Sequence, residues 1–143
     1  GFPAAIAAAL ETPSRAVVCL AGDGCFQMTL NEMSTALQYG AAPVVVVANN
    51  GHYGTIRMHR ERSYPARTSG TILKNPDFAA LARAYGGHGE TVRQTADFPA
   101  AFARARASGT VAVIELLLDP EALTAGATLS EVRAQGMAAA AGS

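Results

Sequence analysis

The sequence predicts an α/β fold, doubly wound, in which a mostly parallel sheet carries helices on both faces. Three observations lead there: uniformly apolar runs at Ala16 to Ala21, Val44 to Ala48 and Val111 to Leu118; stretches of helical periodicity between them; and turn residues closing each run. Uninterrupted apolar runs of strand length suit parallel strands covered on both sides, whereas a half-exposed strand would alternate. Parallel neighbours cannot be joined by a tight turn, and the intervening stretches are long enough to be helical crossovers.

In chain order, residues 3 to 11 are Ala-rich and apolar on every face, as in a buried helix, and Thr12-Pro13-Ser14 ends it. Ala16 to Ala21 follows as a strand buried on both faces, stopped by Gly22-Asp23-Gly24. Thr29 and Glu32 stand at capping-box spacing ahead of Met33, Ala36 and Leu37, with Gly40 as the C-terminal cap. Pro43 leads into Val44 to Ala48, β-branched and apolar, which ends at Asn49-Asn50-Gly51. Tyr53 to Arg62 reads as a short polar helix, and Ser63 to Lys74 as a loop longer than a connector requires.

Asn75-Pro76 offers a cap and a first-turn proline for a helix continuing through Asp77 to Tyr85. Glu90 to Arg93 is a short strand, Thr95 to Ala107 a helix, and Val111 to Leu118 a strand closed by Asp119-Pro120. Residues 1–123 are expected to form one domain. Residues 124–143 are expected as a tail with one helical turn around Ser130 to Gln135 and an Ala/Gly-rich, partly disordered end. No internal repeat is present.

With 143 residues, half of them hydrophobic, one core burying roughly two-thirds of the unfolded surface is expected. Eleven basic and eleven acidic side chains balance, so no electrostatic footprint for nucleic acid or an anionic membrane exists. Cys19 and Cys25 match neither a disulfide framework nor a zinc site. No apolar stretch approaches the roughly 20 residues of a membrane span, and a soluble cytoplasmic protein is expected. The opening Gly1-Phe2-Pro3 lacks an initiator Met and runs straight into helical composition, as expected of a piece of a longer protein.

In open α/β sheets, ligands bind outside the carboxyl ends of the strands, where Gly22-Asp23-Gly24 and Asn49-Asn50-Gly51 both fall. Glycines beside Asp23 let the backbone approach a bulky anion, and the N–H groups of Gly24 and Cys25 suit phosphate oxygens. A carboxylate beside phosphate is repelled unless a divalent cation stands between them, which makes Asp23 a magnesium ligand and Asn50 a neutral second oxygen donor.

Gly22-Asp23-Gly24 followed by Asn49-Asn50 resembles the signature of thiamine diphosphate enzymes. Gln27-Met28-Thr29-Leu30-Asn31-Glu32-Met33 and Leu37-Gln38-Tyr39-Gly40 are similar to the acetolactate synthase, benzoylformate decarboxylase and pyruvate decarboxylase superfamily, over residues 1 to about 120. The resemblance implies a thiamine diphosphate-binding fold with thiamine diphosphate and Mg2+ as cofactors. It implies Asp23, Asn50 and the backbone carbonyl of His52 as metal ligands. Gly22, Gly24 and Cys25 are then expected on one side of the diphosphate, with Gly51, His52 and Tyr53 on the other, and Gly54 allowing close packing. The cofactor would carry the chemistry, decarboxylation of a 2-oxo acid with or without carboligation.

In that family the activating glutamate lies in a pyrimidine-binding domain of the same or a neighbouring chain, so no catalytic residue is assigned here. A homodimer or homotetramer is implied, and this chain alone is expected to bind weakly and not turn over. Rival readings are one subunit of a split two-chain decarboxylase, a degenerate oligomerisation module, and a nucleotide-binding domain. The last lacks both G-x-G-x-x-G and a P-loop lysine.

The remaining chemistry-bearing residues have plainer readings. The His52 ring is a poor ligand for hard Mg2+. His59 lies with Arg57, Arg60, Glu61 and Arg62 in a charged helix read as a solvated face or subunit contact. His88 has no assigned role, and Cys25 lacks a neighbouring base in sequence. Met28, Met33 and Met58 are read as packing residues, and Arg67 and Lys74 as solvated loop charges.

Overall fold

The computed structural model describes residues 1–123 and 126–141. In chain order its elements are α1 (Phe2–Glu11), β1 (Val18–Gly22), α2 (Asp23–Gln27), α3 (Met33–Tyr39), β2 (Val44–Asn49), α4 (Gly54–Ser63), α5 (Phe78–Tyr85), β3 (His88–Val92), α6 (Phe98–Ala107), β4 (Ala112–Leu117) and α7 (Leu129–Ala141). They divide into two compact units, one of residues 1–49 and 75–117, the other of residues 50–74 and 118–143.

The first unit is the parallel α/β layer that the apolar runs predict. Its strands lie in the order β1-β2-β4-β3, and every pair is parallel. Val45, Val47 and Val113 face α1, α3 and α5 in a core completed by Phe2, Met33 and Phe78. Val44, Val46 and Ile114 face α6 through Ala101 and Ala105. Helices therefore cover both faces, and each fully buried valine or isoleucine contributes roughly 1.5–3 kcal/mol relative to exposure. Phe26 stands edge-on to both Phe2 and Phe78, with centroids 5.4 and 5.7 Å away, a geometry favoured by the ring quadrupole.

β1 departs from its expected burial on both faces. Cys19 is buried, but Val18 is 50% and Leu20 76% exposed. β1 is an edge strand, and α6 packs against β3 and β4 at the opposite end of the sheet, so no helix of this unit covers Val18 and Leu20.

Two helix starts also differ from the sequence reading. Thr29 makes no side-chain capping bond to the 3-10 turn at Leu30–Glu32, and Glu32 accepts instead from Thr35 Oγ1 at 2.6 Å. The cap of α5 is Asp77, whose carboxylate accepts from Ala80 N at 2.7 Å; Asn75, expected in that role, is engaged elsewhere.

In the second unit α4 and α7 pack together where Gly136 lets backbones meet: a Cβ there would lie 2.3 Å from the Glu61 carbonyl oxygen. The expected single turn near Ser130 to Gln135 extends to thirteen residues, Leu129–Ala141. The tail reading for Thr124, Ala125, Gly142 and Ser143 lies outside the described residues. The loop after α4 is anchored by an antiparallel bridge between His52 and Ile72.

The charged helix is not a solvated face throughout. His59, Arg60 and Arg62 are exposed, but Arg57 is 5% and Glu61 0% exposed. Glu61 pairs with Arg57 at 2.7 Å and Arg133 at 3.0 Å and accepts from Ala66 N at 2.7 Å. Burial acts to raise the Glu61 carboxyl, but hydrogen bonds from Arg133, Ala66 and Arg57 outweigh it and hold the pKa at about 2.

Candidate functional site

In the first unit β1 and β2 run side by side with Gly22 opposite Ala48, so Asp23 and Asn49 emerge at neighbouring carboxyl ends. Asp23 opens α2, where a negative charge is favoured by the amides of the first turn. It is only 3% exposed, and a carboxylate so buried requires hydrogen-bond donors. Gly24 N donates to its Oδ1 at 2.8 Å and Asn75 Nδ2 to its Oδ2 at 2.7 Å.

Asn75 Nδ2 also donates to Asn49 Oδ1 at 2.7 Å, and Asn75 Oδ1 accepts from Gln27 Nε2 at 2.7 Å. Asn49 in turn donates to Glu115 Oε1 at 2.7 Å, and Glu115 Oε2 accepts from Thr91 Oγ1 at 3.3 Å. Asp23 follows β1, Asn49 ends β2, Glu115 lies on β4 and Thr91 on β3. One polar chain thus crosses the sheet in the order of its strands.

Sequence reading missed Asn75, Glu115 and Thr91. Glu115 carried a usable signal, a carboxylate inside an apolar strand and 3% exposed in the fold, which is rare without partners. Gly22 fits a close ligand approach for a separate reason: its φ is −72°, and a Cβ there would meet nothing within 4 Å. Neither backbone strain nor packing inside this chain requires glycine at that position. Cys25 is exposed, whereas burial pushes the Cys19 thiol up and leaves it a packing group.

In the second unit Gly51 has φ +68°, a left-handed conformation that glycine adopts without steric cost. The turn is braced by Asn50, whose Oδ1 accepts from His52 N at 3.0 Å. The His52 ring Nδ1 lies 2.9 Å from the Asn50 carbonyl oxygen, which makes Nδ1 the protonated nitrogen. Tyr53 N donates to Thr71 O at 2.9 Å, and Leu73 N to Gly51 O at 2.8 Å. Those bonds flank His52 as a non-hydrogen-bonded pair with Ile72, so the His52 carbonyl points away from the Ile72 segment.

Tyr53 has both backbone groups engaged, its carbonyl accepting from Arg57 N at 2.9 Å, and its side chain is exposed. Gly54 is close-packed as expected, since a Cβ would lie 2.9 Å from Asn50 Nδ2. Of the predicted residues, Gly22, Asp23, Gly24 and Cys25 belong to the first unit and Asn50, Gly51, His52 and Tyr53 to the second.

The donor set is one of oxygens. Among the described residues no three His, Cys, Asp or Glu side chains cluster as a metal cage. Asp23 in the first unit offers a carboxylate, and Asn50 and His52 in the second offer amide and carbonyl oxygens, the donor types that hard Mg2+ takes.

The family model for the thiamine pyrophosphate enzyme C-terminal TPP binding domain matches residues 1–116. The chain belongs to this family. It is 44% identical over 87 residues to the acetolactate synthase large subunit of Haemophilus influenzae, covering 60% of this chain and 15% of that protein. It is 38% identical over 116 residues to the large subunit of Mycobacterium tuberculosis, covering 81% of this chain and 21% of that one. Among solved structures, the thiamine diphosphate-dependent 4-hydroxybenzoylformate decarboxylase of Rhodococcus jostii RHA1 superposes with a TM-score of 0.77 at 34% identity. The match covers 83% of this chain and 23% of the decarboxylase.

The family places the domain among thiamine diphosphate-binding modules and agrees with the parallel sheet. The chain spans about a fifth or less of the curated relatives named here. No helix among the described residues is long and apolar enough to cross a membrane.

Proposed function

We propose that this chain is the diphosphate- and magnesium-binding domain of an acetolactate synthase-like 2-oxo acid decarboxylase or carboligase. The observation that carries the reading is Asp23: a carboxylate 3% exposed at the carboxyl end of β1, in a chain matched by the thiamine diphosphate-binding family over residues 1–116. Asp23, Asn50 and the His52 carbonyl hold Mg2+; Gly22, Gly24, Cys25, Gly51, His52 and Tyr53 line the diphosphate. Thiamine diphosphate, when bound, supplies an electron sink for loss of carbon dioxide from a 2-oxo acid.

The work of the chain's own residues is electrostatic and positional. Asp23 offsets the cation's charge, and first-turn amides of α2 other than that of Gly24, which Asp23 itself holds, face the phosphate oxygens. The His52 carbonyl, turned away from the Ile72 segment, adds a neutral oxygen without the repulsion a second carboxylate would bring to the diphosphate. A pyrimidine-binding domain, in the same or a neighbouring chain of a cytoplasmic homodimer or homotetramer, completes the catalytic unit. This domain by itself then binds without turnover.

Calorimetric titration of thiamine diphosphate into the native full-length protein, first with Mg2+ and then with EDTA, tests the reading. Binding that requires Mg2+ and is abolished by Asp23→Ala is expected. Equal affinity of the wild type and the Asp23 variant, or binding indifferent to EDTA, overturns the metal assignment.

A further inference from the structure

We infer that Asn75 is a positioning residue for the metal site, holding the Asp23 carboxylate in its ligating orientation; this rests on the reading of Asp23 as a magnesium ligand. The carboxamide of Asn75 makes three short bonds, donating at 2.7 Å to Asp23 Oδ2 and to Asn49 Oδ1 and accepting at 2.7 Å from Gln27 Nε2. Its two N–H groups are thereby divided between the ends of β1 and β2, and its oxygen is tied to α2. Only a planar amide presents two donors and an acceptor from one short side chain.

The consequence for Asp23 is a fixed carboxylate plane. Gly24 N holds Oδ1 at 2.8 Å while Asn75 holds Oδ2, and each carboxylate oxygen has more than one lone pair, so an oxygen bonded to an N–H still has capacity for a cation. A ligand held by partners in this way binds with less loss of side-chain freedom, and removing such a partner lowers metal affinity about 10–100-fold. Asn75 lies 52 residues from Asp23 in sequence, on the segment leading into α5. Its side chain caps no helix, because Asp77 does that.

The adjacent Asp77 supplies the control. Asp77 stabilises the same segment through Ala80 N, as the cap of α5. Mn2+ binding to the native full-length protein with saturating thiamine diphosphate is followed by electron paramagnetic resonance, alongside melting temperature. Asn75→Ala is expected to weaken Mn2+ binding about 10–100-fold and to change the signal of the bound ion. Asp77→Ala is expected to lower the melting temperature with affinity unchanged.

Asn75→Ser, too short to span both oxygens, is expected to weaken Mn2+ in the same way if the alanine variant fails to fold. Asn75 variants that bind Mn2+ as the wild type does, while Asp23→Ala does not, overturn the positioning role and leave the cofactor reading intact. Mn2+ binding unaffected by Asp23→Ala overturns both.

Discussion

In the sheet unit most of the interior is apolar, with Val45, Val47, Val113 and Ile114 all 1% exposed or less, and its buried carboxylates, Asp23 and Glu115, are held by neutral donors. In the unit of residues 50–74 and 118–143 the interior of α4 is Arg57 and Glu61, joined by Arg133 of α7. Apolar burial is indifferent to pH and survives the loss of any one neighbour with a graded cost. A buried ion cluster holds only while every partner is present and ionised, because desolvation consumes much of the attraction. The segment proposed to contact cofactor from this second unit, Asn50 to Tyr53, is therefore carried by the more conditional interior.

The largest effects should separate these two kinds of interior. Phe78→Ala removes a ring that is 1% exposed and is expected to cost about 3–5 kcal/mol, with hydrogen exchange accelerated in β1, β2 and β4. Glu61→Gln leaves Arg57 and Arg133 without their counter-charge and is expected to cost a similar 3–5 kcal/mol or so, read as lost protection in α4 and α7. A Glu61 variant with undiminished protection in α4 and α7 would show that their apolar contacts suffice and would erase the contrast.

Acid sharpens the same comparison. The Glu61 carboxyl is lowered from 4.5 unfolded to about 2 folded, so the folded state favours the charged form. Its stabilisation is complete above the unfolded value and is lost as pH falls from about 4.5 through about 2. Protection of α4 and α7 should decline over that window in the wild type, and Glu61→Gln should remove this component.

Gly136→Ala comes next: its Cβ would lie 2.3 Å from the Glu61 carbonyl, and separating the helices is expected to cost about 1–3 kcal/mol, measured by denaturant titration. The smallest effect should be Leu20→Ser, within about 0.5 kcal/mol in this chain, since that side chain is 76% exposed. A loss of several kcal/mol there would mean that Leu20 is covered in solution.

Much of the fold was legible because its signals are local. Val44 to Ala48 and Val111 to Leu118 each became a strand within a residue or so at either end, since β-branched apolar runs leave few other options. Gly22-Asp23-Gly24 and Asn49-Asn50-Gly51 were legible as strand ends, because glycine, Asp and Asn favour turns after an apolar run. Asn75 was misread because Asn-Pro is equally a capping signal, and nothing nearby in the chain distinguishes a side chain aimed at Ala80 from one aimed at Asp23. Arg57 and Glu61 were misread because a charged run has the same composition whether solvated or buried.

By itself the sequence determined the alternation of strands and helices, the parallel sheet, and the placement of Asp23 and Asn49 at strand ends. These follow from propensity and periodicity acting over a few residues. Only the tertiary structure decided that β1 stands at an edge with Leu20 exposed, that Glu61 is sealed between two arginines, and that Asn75 reaches Asp23 across 52 residues. Each of those depends on which distant segments come to lie side by side, and a long-range hydrogen bond or an uncovered strand face leaves no periodic trace in the chain that makes it.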